Sequence, residues 1–178
     1  MRRFSKYILA MLLPLSVLMV RPLTPAAVLM FGQEIQLSTE PVDPRDIFRG
    51  DYVTLSFSIE RFDESLLSEG DKMELFGRLG RQDDVPTVYV ALGPDGEGVW
   101  QPTGIYTKPP DAGVYLRASA NGFRIDDITL DYGDYLRRYY VKESTGRDLE
   151  DAARLGKLTA LVKVWRGRAV LTSVEEID

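Results

Sequence analysis

Cysteine and histidine are both absent from the 178 residues, and each absence removes a class of chemistry. Without cysteine there is no disulfide, no thiolate nucleophile and no Cys-x-x-Cys metal site. Without histidine there is no Ser-His-Asp triad, no imidazole base and no ordinary zinc site. Basic side chains are also scarce once the first 32 residues are set aside. Arg2, Arg3, Lys6 and Arg21 stand there with no acid among them, which leaves 18 basic against 27 acidic residues and a formal −9 for the rest. Phosphate backbones need a basic face, so no nucleic-acid partner is expected.

What chemistry survives is narrow. Paired carboxylates could still hydrolyse a glycoside if two acids faced each other across a cleft. The 27 acids are scattered, however, and no pair stands out. Asp126 and Asp127 are adjacent, so in a regular strand they point to opposite faces. Ser56 and Ser58 lie inside a strand pattern with no lysine at a defined spacing, which argues against a serine–lysine dyad. Asp95-Gly96-Glu97 lacks the alternating carboxylates and closing glutamate of an EF-hand. No catalytic, cofactor-binding or metal-binding residue is therefore assigned, and the chain reads as a non-enzyme.

The first 31 residues read as a membrane anchor or signal segment. Arg2, Arg3 and Lys6 precede Tyr7 to Val20, which is apolar except for Ser16. Basic residues before an apolar run keep the N-terminus in the cytoplasm and send the remainder across the membrane. Fourteen residues at ~1.5 Å each fall short of a hydrocarbon core of roughly 30 Å, which suits a signal-peptide core. Thr24-Pro25-Ala26 offers small residues for cleavage, although Pro25 sits awkwardly. Leu23 to Phe31 resumes apolar character after Arg21-Pro22, which favours a retained anchor with Arg21 reaching the outer interface. The domain from residue 32 to 178 then faces the periplasm or cell exterior. Cleavage and release into the periplasm is the alternative.

The most densely specified stretch is Asp43-Pro44-Arg45-Asp46-Ile47-Phe48-Arg49-Gly50-Asp51-Tyr52. Asp43 before Pro44 reads as an N-cap with proline at the first helical position. Gly50 supplies the left-handed residue that ends the resulting turn. From Tyr52 the side chains alternate, with Val53, Leu55, Phe57 and Ile59 on one face. Asp43, Asp46 and Asp51 lie close to Arg45 and Arg49, so the loop is either a charge network that braces a turn or an exposed recognition surface. A second block interleaves Tyr132, Tyr135, Tyr139 and Tyr140 with Arg137 and Arg138, the residue types of interface hot spots and of internal cation–π contacts alike. Gly133-Asp134-Tyr135 echoes Gly50-Asp51-Tyr52, but the flanks do not match and no repeat is assigned.

Gly50-Asp51-Tyr52-Val53-Thr54-Leu55-Ser56-Phe57 resembles the signature for which the GDYXXLXY family is named, and the lead-in from Pro41 to Arg49 and the block Tyr132 to Val141 are similar to that family as well. Phe57 stands where the motif ends in tyrosine. The resemblance implies an N-terminal hydrophobic segment and an extracytoplasmic domain, and it transfers no activity.

The rest of the chain is mostly strand. Glu34–Ser38, Lys72–Leu79, Thr87–Leu92, Val99–Thr107, Val114–Ala118, Phe123–Leu130, Leu158–Trp165 and Ala169–Ile177 alternate or are continuously apolar. Gly93–Gly98, Asn121-Gly122 and Arg166-Gly167 are hairpin turns by composition. Arg61 to Gly70 is a short helical connection, and Thr145 to Leu155, with an approximate capping box from Thr145 to Asp148, is the one clear helix. The expected fold is mainly β, an antiparallel sandwich or partly open barrel with one short helix, preceded by the hydrophobic segment. Two functions fit it: a membrane-anchored interaction domain engaging another envelope membrane protein, or a small-molecule or peptide binder. A histidine-independent hydrolase stands behind both. The candidate surface comprises Asp43, Arg45, Asp46, Arg49, Gly50, Asp51, Tyr52, Tyr135, Arg137, Arg138, Tyr139 and Tyr140.

Overall fold

Alternating apolar residues make strands here wherever a turn returns them to a neighbour. The computed structural model describes residues 11–12, 14–40, 52–79, 85–122, 127–140 and 158–176. The fold is mainly β, as expected, built as two antiparallel sheets, one of them a half-barrel. The strands are β1 (Gln33–Glu40), β2 (Tyr52–Thr54), β3 (Ser56–Phe57), β4 (Thr87–Pro94), β5 (Trp100–Tyr106), β6 (Val114–Asn121), β7 (Thr129–Asp131), β8 (Arg138–Tyr140), β9 (Leu158–Trp165) and β10 (Arg168–Glu176). One sheet runs β10-β9-β1-β3, the other β5-β4-β6-β7, and β2 and β8 form a separate two-stranded ribbon.

Alternate residues of β1, β4, β6 and β9 enter one core. Ile35 and Leu37 of β1, Val88, Val90 and Leu92 of β4, Leu116, Ala118 and Ala120 of β6, and Leu158, Ala160, Val162 and Val164 of β9 belong to a single buried cluster. Each large aliphatic so buried contributes about 1.5–3 kcal/mol. The sheets also touch at their edges. Gln36 of β1 bridges to Val99 beside β5, and Leu116 of β6 bridges to Gly167 at the tip of the β9–β10 hairpin. That tip is a two-residue turn in which Arg166 and Gly167 both have positive φ (50° and 78°), the twist that suits a tight hairpin. A Cβ on Gly167 would lie 2.8 Å from the Tyr115 ring, and its carbonyl accepts from the Arg117 N–H at 2.7 Å. Only glycine lets the hairpin plug into the opposite sheet.

The N-terminal segment Pro14–Phe31 is 18 residues of helix, long and apolar enough to cross a membrane. A turn at Arg21-Pro22 interrupts it, where proline lacks the N–H that would continue the ladder. The part after the turn, α1 (Leu23–Phe31), lies on the β9–β10 sheet. Val28 is buried, Lys163 Nζ donates to the Leu29 carbonyl at 3.0 Å, and the Phe31 and Trp165 rings stand 5.9 Å apart. Gly32 makes the junction, since a Cβ there would collide with the Val28 carbonyl.

Two expectations are corrected. Lys72–Leu79 is no strand; it belongs to helix α2 (Glu69–Arg78). Met73, Leu75 and Leu79 alternate, but the cap decides. Ser68 accepts the Asp71 N–H at 3.2 Å and donates to the Asp71 carboxylate at 2.6 Å, which starts a helix that turns Leu75 into the core and leaves Met73 outside. Nor is Asn121-Gly122 a two-residue turn. Asn121 pairs with Thr129, so residues 122–128 connect β6 to β7, and the strand expected over Phe123–Leu130 is reduced to Thr129–Asp131 among the described residues. A Cβ on Gly122 would come within 2.9 Å of Ile128 Cα, a contact that a tight two-residue turn would not make.

Other expectations hold. Pro94 pairs with Trp100 across a hairpin whose loop is closed by Asp95 Oδ1, which accepts the N–H groups of Glu97 and Val99 at 2.9 Å each. That carboxylate serves the turn. The short helical connection expected over Arg61 to Gly70 contains the 3₁₀ turn Glu64–Leu66 and runs into α2 at Glu69. The expected helix over Thr145 to Leu155 lies outside the described residues.

Asp71 does more than cap α2. Its Oδ1 accepts from the Thr107 N–H at 2.9 Å and the Thr107 hydroxyl at 2.7 Å, pinning the helix to the end of β5. Burial alone would raise its pKa; the hydrogen bonds from Ser68 and Thr107, with the nearby Lys108 charge, outweigh that and lower it. Asp71→Ala is therefore expected to cost about 1–3 kcal/mol in a urea melt, since it unpairs the Thr107 N–H as well as the cap while the Thr107 hydroxyl keeps Glu74, whereas Ser68→Ala costs about 1 kcal/mol. Equal losses would mean that the tie to Thr107 contributes nothing.

Candidate interaction site

The two motif blocks, some eighty residues apart, meet in space. Tyr52, Val53 and Thr54 of β2 pair antiparallel with Tyr140, Tyr139 and Arg138 of β8. Then the chain changes partner. Leu55 leaves the ribbon while its N–H donates to the Arg137 carbonyl at 2.9 Å, and from Ser56 the chain pairs with β1, with Phe57 opposite Thr39. The alternation continues through the switch, because Leu55, Phe57 and Ile59 are all buried. Phe57, at the position where the motif has tyrosine, is wholly enclosed and acts by packing.

A polar latch closes the junction. The 3₁₀ turn Ser58–Glu60 swings Glu60 back toward Ser56, whose hydroxyl donates to it at 3.0 Å. The same carboxylate accepts from Arg137 Nε at 3.2 Å. Glu60 is 13% exposed and Arg137 41%, so the pair is partly desolvated, and removing one partner costs more than at a fully exposed bridge. Arg137 also lies 3.8 Å from Asp131, whose other task is to accept the Gly133 N–H at 2.9 Å. Gly133, with φ 86°, turns the chain into the single helical turn α3 (Asp134–Arg137), which buries Leu136 completely. Tyr132 makes the third link by donating its hydroxyl to the Ile59 carbonyl at 2.8 Å.

Of the residues singled out from sequence, Tyr52, Arg138, Tyr139 and Tyr140 are thus brought into one ribbon, Tyr135 lies in α3, and Arg137 is the donor of the latch. Asp43, Arg45, Asp46, Arg49, Gly50 and Asp51 lie outside the described residues. The Gly133-Asp134-Tyr135 echo opens a helical turn, while Tyr52 opens a strand. Glu60 and Asp131 were not singled out. The signal for Glu60 was its spacing of four from Ser56, which becomes a contact only when the strand ends in a turn. Asp127 does not sit in a strand, which removes the basis for reading it with Asp126 on opposite faces of one. Among the described residues no group of three or more acids is placed to hold a metal ion. A groove of about 520 Å³ reaches Asp131, Tyr132 and Gly133 at the rim of the second block.

A protein-family model described as "GDYXXLXY protein" matches residues 14–174. No curated protein and no solved structure matches the chain.

Burial, and then the Glu60 charge, push the Tyr132 phenol well above its ordinary value. The unfolded chain loses this proton near about pH 10 while the folded chain keeps it. The folded state then holds more protons than the unfolded one, so this contribution is intact below about pH 10 and is lost as pH rises further. Tyr132→Phe should destabilise by about 1–2 kcal/mol at neutral pH, through the unpaired Ile59 carbonyl. It should also flatten the alkaline fall in urea-melt stability relative to the parent. An unchanged alkaline slope would show that Tyr132 ionises freely in the folded protein.

Proposed function

The chain belongs to the GDYXXLXY family, and from that premise we propose that it is a non-enzymatic interaction domain, held at a membrane by its N-terminal helix and engaging another envelope membrane protein. The domain faces the periplasm or cell exterior, because all the basic residues at the extreme N-terminus precede the apolar run. The observation that carries the reading is the ribbon: Tyr52–Thr54, which follows the charged loop, pairs with Arg138–Tyr140 of the tyrosine- and arginine-rich second block, and among the described residues this β-pair belongs to neither four-stranded sheet. Paired strands can offer backbone hydrogen bonds to a partner segment, and tyrosine and arginine are the residue types of interface hot spots. The alternative is a small molecule or peptide bound between the blocks.

The cysteine-free sequence makes one variant informative on both counts. Tyr140→Cys introduces the sole thiol. In intact cells an impermeant thiol reagent should label it, and a thiol-anchored photo-crosslinker should capture one dominant membrane protein from solubilised membranes. Labelling only after lysis would overturn the orientation, and diffuse capture without a dominant species would overturn the partner reading.

A further inference from the structure

Three arginines from three parts of the chain line one groove. Arg21 comes from the turn between the two parts of the N-terminal helix, Arg117 from β6 and Arg168 from β10, and they meet with Thr24, Ser119 and Asp131 around the cavity of about 520 Å³ between helix and sheets. In a domain with a formal −9 beyond residue 32, three guanidiniums against one acid among the described lining residues are a local reversal of sign. That acid, Asp131, accepts the Gly133 N–H and lies beside Arg137.

Position gives the groove its chemistry. Val20 and Arg21 are part of its wall, and Val17, Leu18 and Met19 beside them are exposed apolar side chains. If the apolar run enters a bilayer, Arg21 stands where hydrocarbon gives way to headgroups, the depth to which arginine is driven and at which lipid phosphates lie. Guanidinium forks match phosphate oxygens two at a time, which a lysine ammonium does not. The cavity is also within the roughly 300–1,000 Å³ of small-ligand sites. Three positive charges against one negative disfavour a zwitterionic headgroup, whose ammonium would meet the arginines.

We propose that this groove binds the phosphate of an anionic phospholipid headgroup of the phosphatidylglycerol type, in the leaflet that faces the domain. The lipid seats the domain against its own membrane and fixes its tilt on the anchor. The proposal rests on the membrane-anchoring reading.

The test uses the full chain reconstituted into vesicles of phosphatidylcholine alone or mixed with phosphatidylglycerol, followed by flotation and by native mass spectrometry of the released protein. The expected result is flotation with both vesicles and one retained phosphatidylglycerol per chain from the mixture. The double variant Arg117→Gln/Arg168→Gln should still float and keep its far-ultraviolet spectrum, and retain the lipid at least about tenfold less. Failure to float with either vesicle would overturn the anchoring reading and this one with it. Flotation with equal retention of both lipids, or retention unchanged in the double variant, would overturn the lipid site alone. Displacement of the lipid by millimolar inorganic phosphate, with phosphate itself bound, would reassign the groove to a free anion and overturn the proposal.

Discussion

One partly buried carboxylate holds two distant parts of this chain in register. Glu60 accepts from Ser56 on its own segment and from Arg137 on the second block, and around it the Leu55–Arg137 and Tyr132–Ile59 hydrogen bonds cross the same junction. Each link alone is modest, about 1 kcal/mol for a neutral hydrogen bond and more where one partner is charged. Their value lies in acting together at the place where a strand changes sheets. A two-stranded ribbon is marginal by itself, and the described part of this one, three residues of β2 and three of β8, is supported by Leu55, Phe57 and Leu136 buried immediately beside it and by the latch.

The same logic shows how much of the structure could be read from sequence. Strands whose apolar residues face one core, such as β4, β6 and β9, announce themselves by alternation. So does the Arg166-Gly167 turn, where glycine meets the demand for positive φ. Alternation misled where a cap competed with it: Lys72 to Leu79 has the pattern of a strand, and a serine four residues earlier makes it a helix. Composition misled at Asn121-Gly122, because register is set by which residues pair across the sheet and not by the residues at the turn. The candidate site was half legible. Its tyrosines and arginines stand out as residue types, but nothing local says that Tyr52 lies opposite Tyr140, and Glu60 becomes visible only once the strand is known to stop at Phe57.

The packing of the N-terminal helix on the domain links architecture to the functional proposal. α1 lies on β9 and β10 through Val28 and Lys163, while the helical residues before Arg21 keep their apolar side chains outside. A helix fixed at one end and apolar at the other makes the domain's orientation a property of the fold and not of a loose tether. The partner surface proposed here would need no closed pocket or catalytic group, only a defined height and tilt above the bilayer, and a docked helix of this kind is suited to set both.

The central claim is that the two motif blocks form one cooperative unit through Glu60 and Arg137. Native-state hydrogen exchange on the full chain in detergent micelles tests it most directly. Amides of Tyr52–Leu55 and of Arg138–Tyr140 should open with a common free energy, and Arg137→Gln should accelerate both groups together while leaving β4 and β5 unchanged. Acceleration of one block without the other, or of neither, would contradict the account.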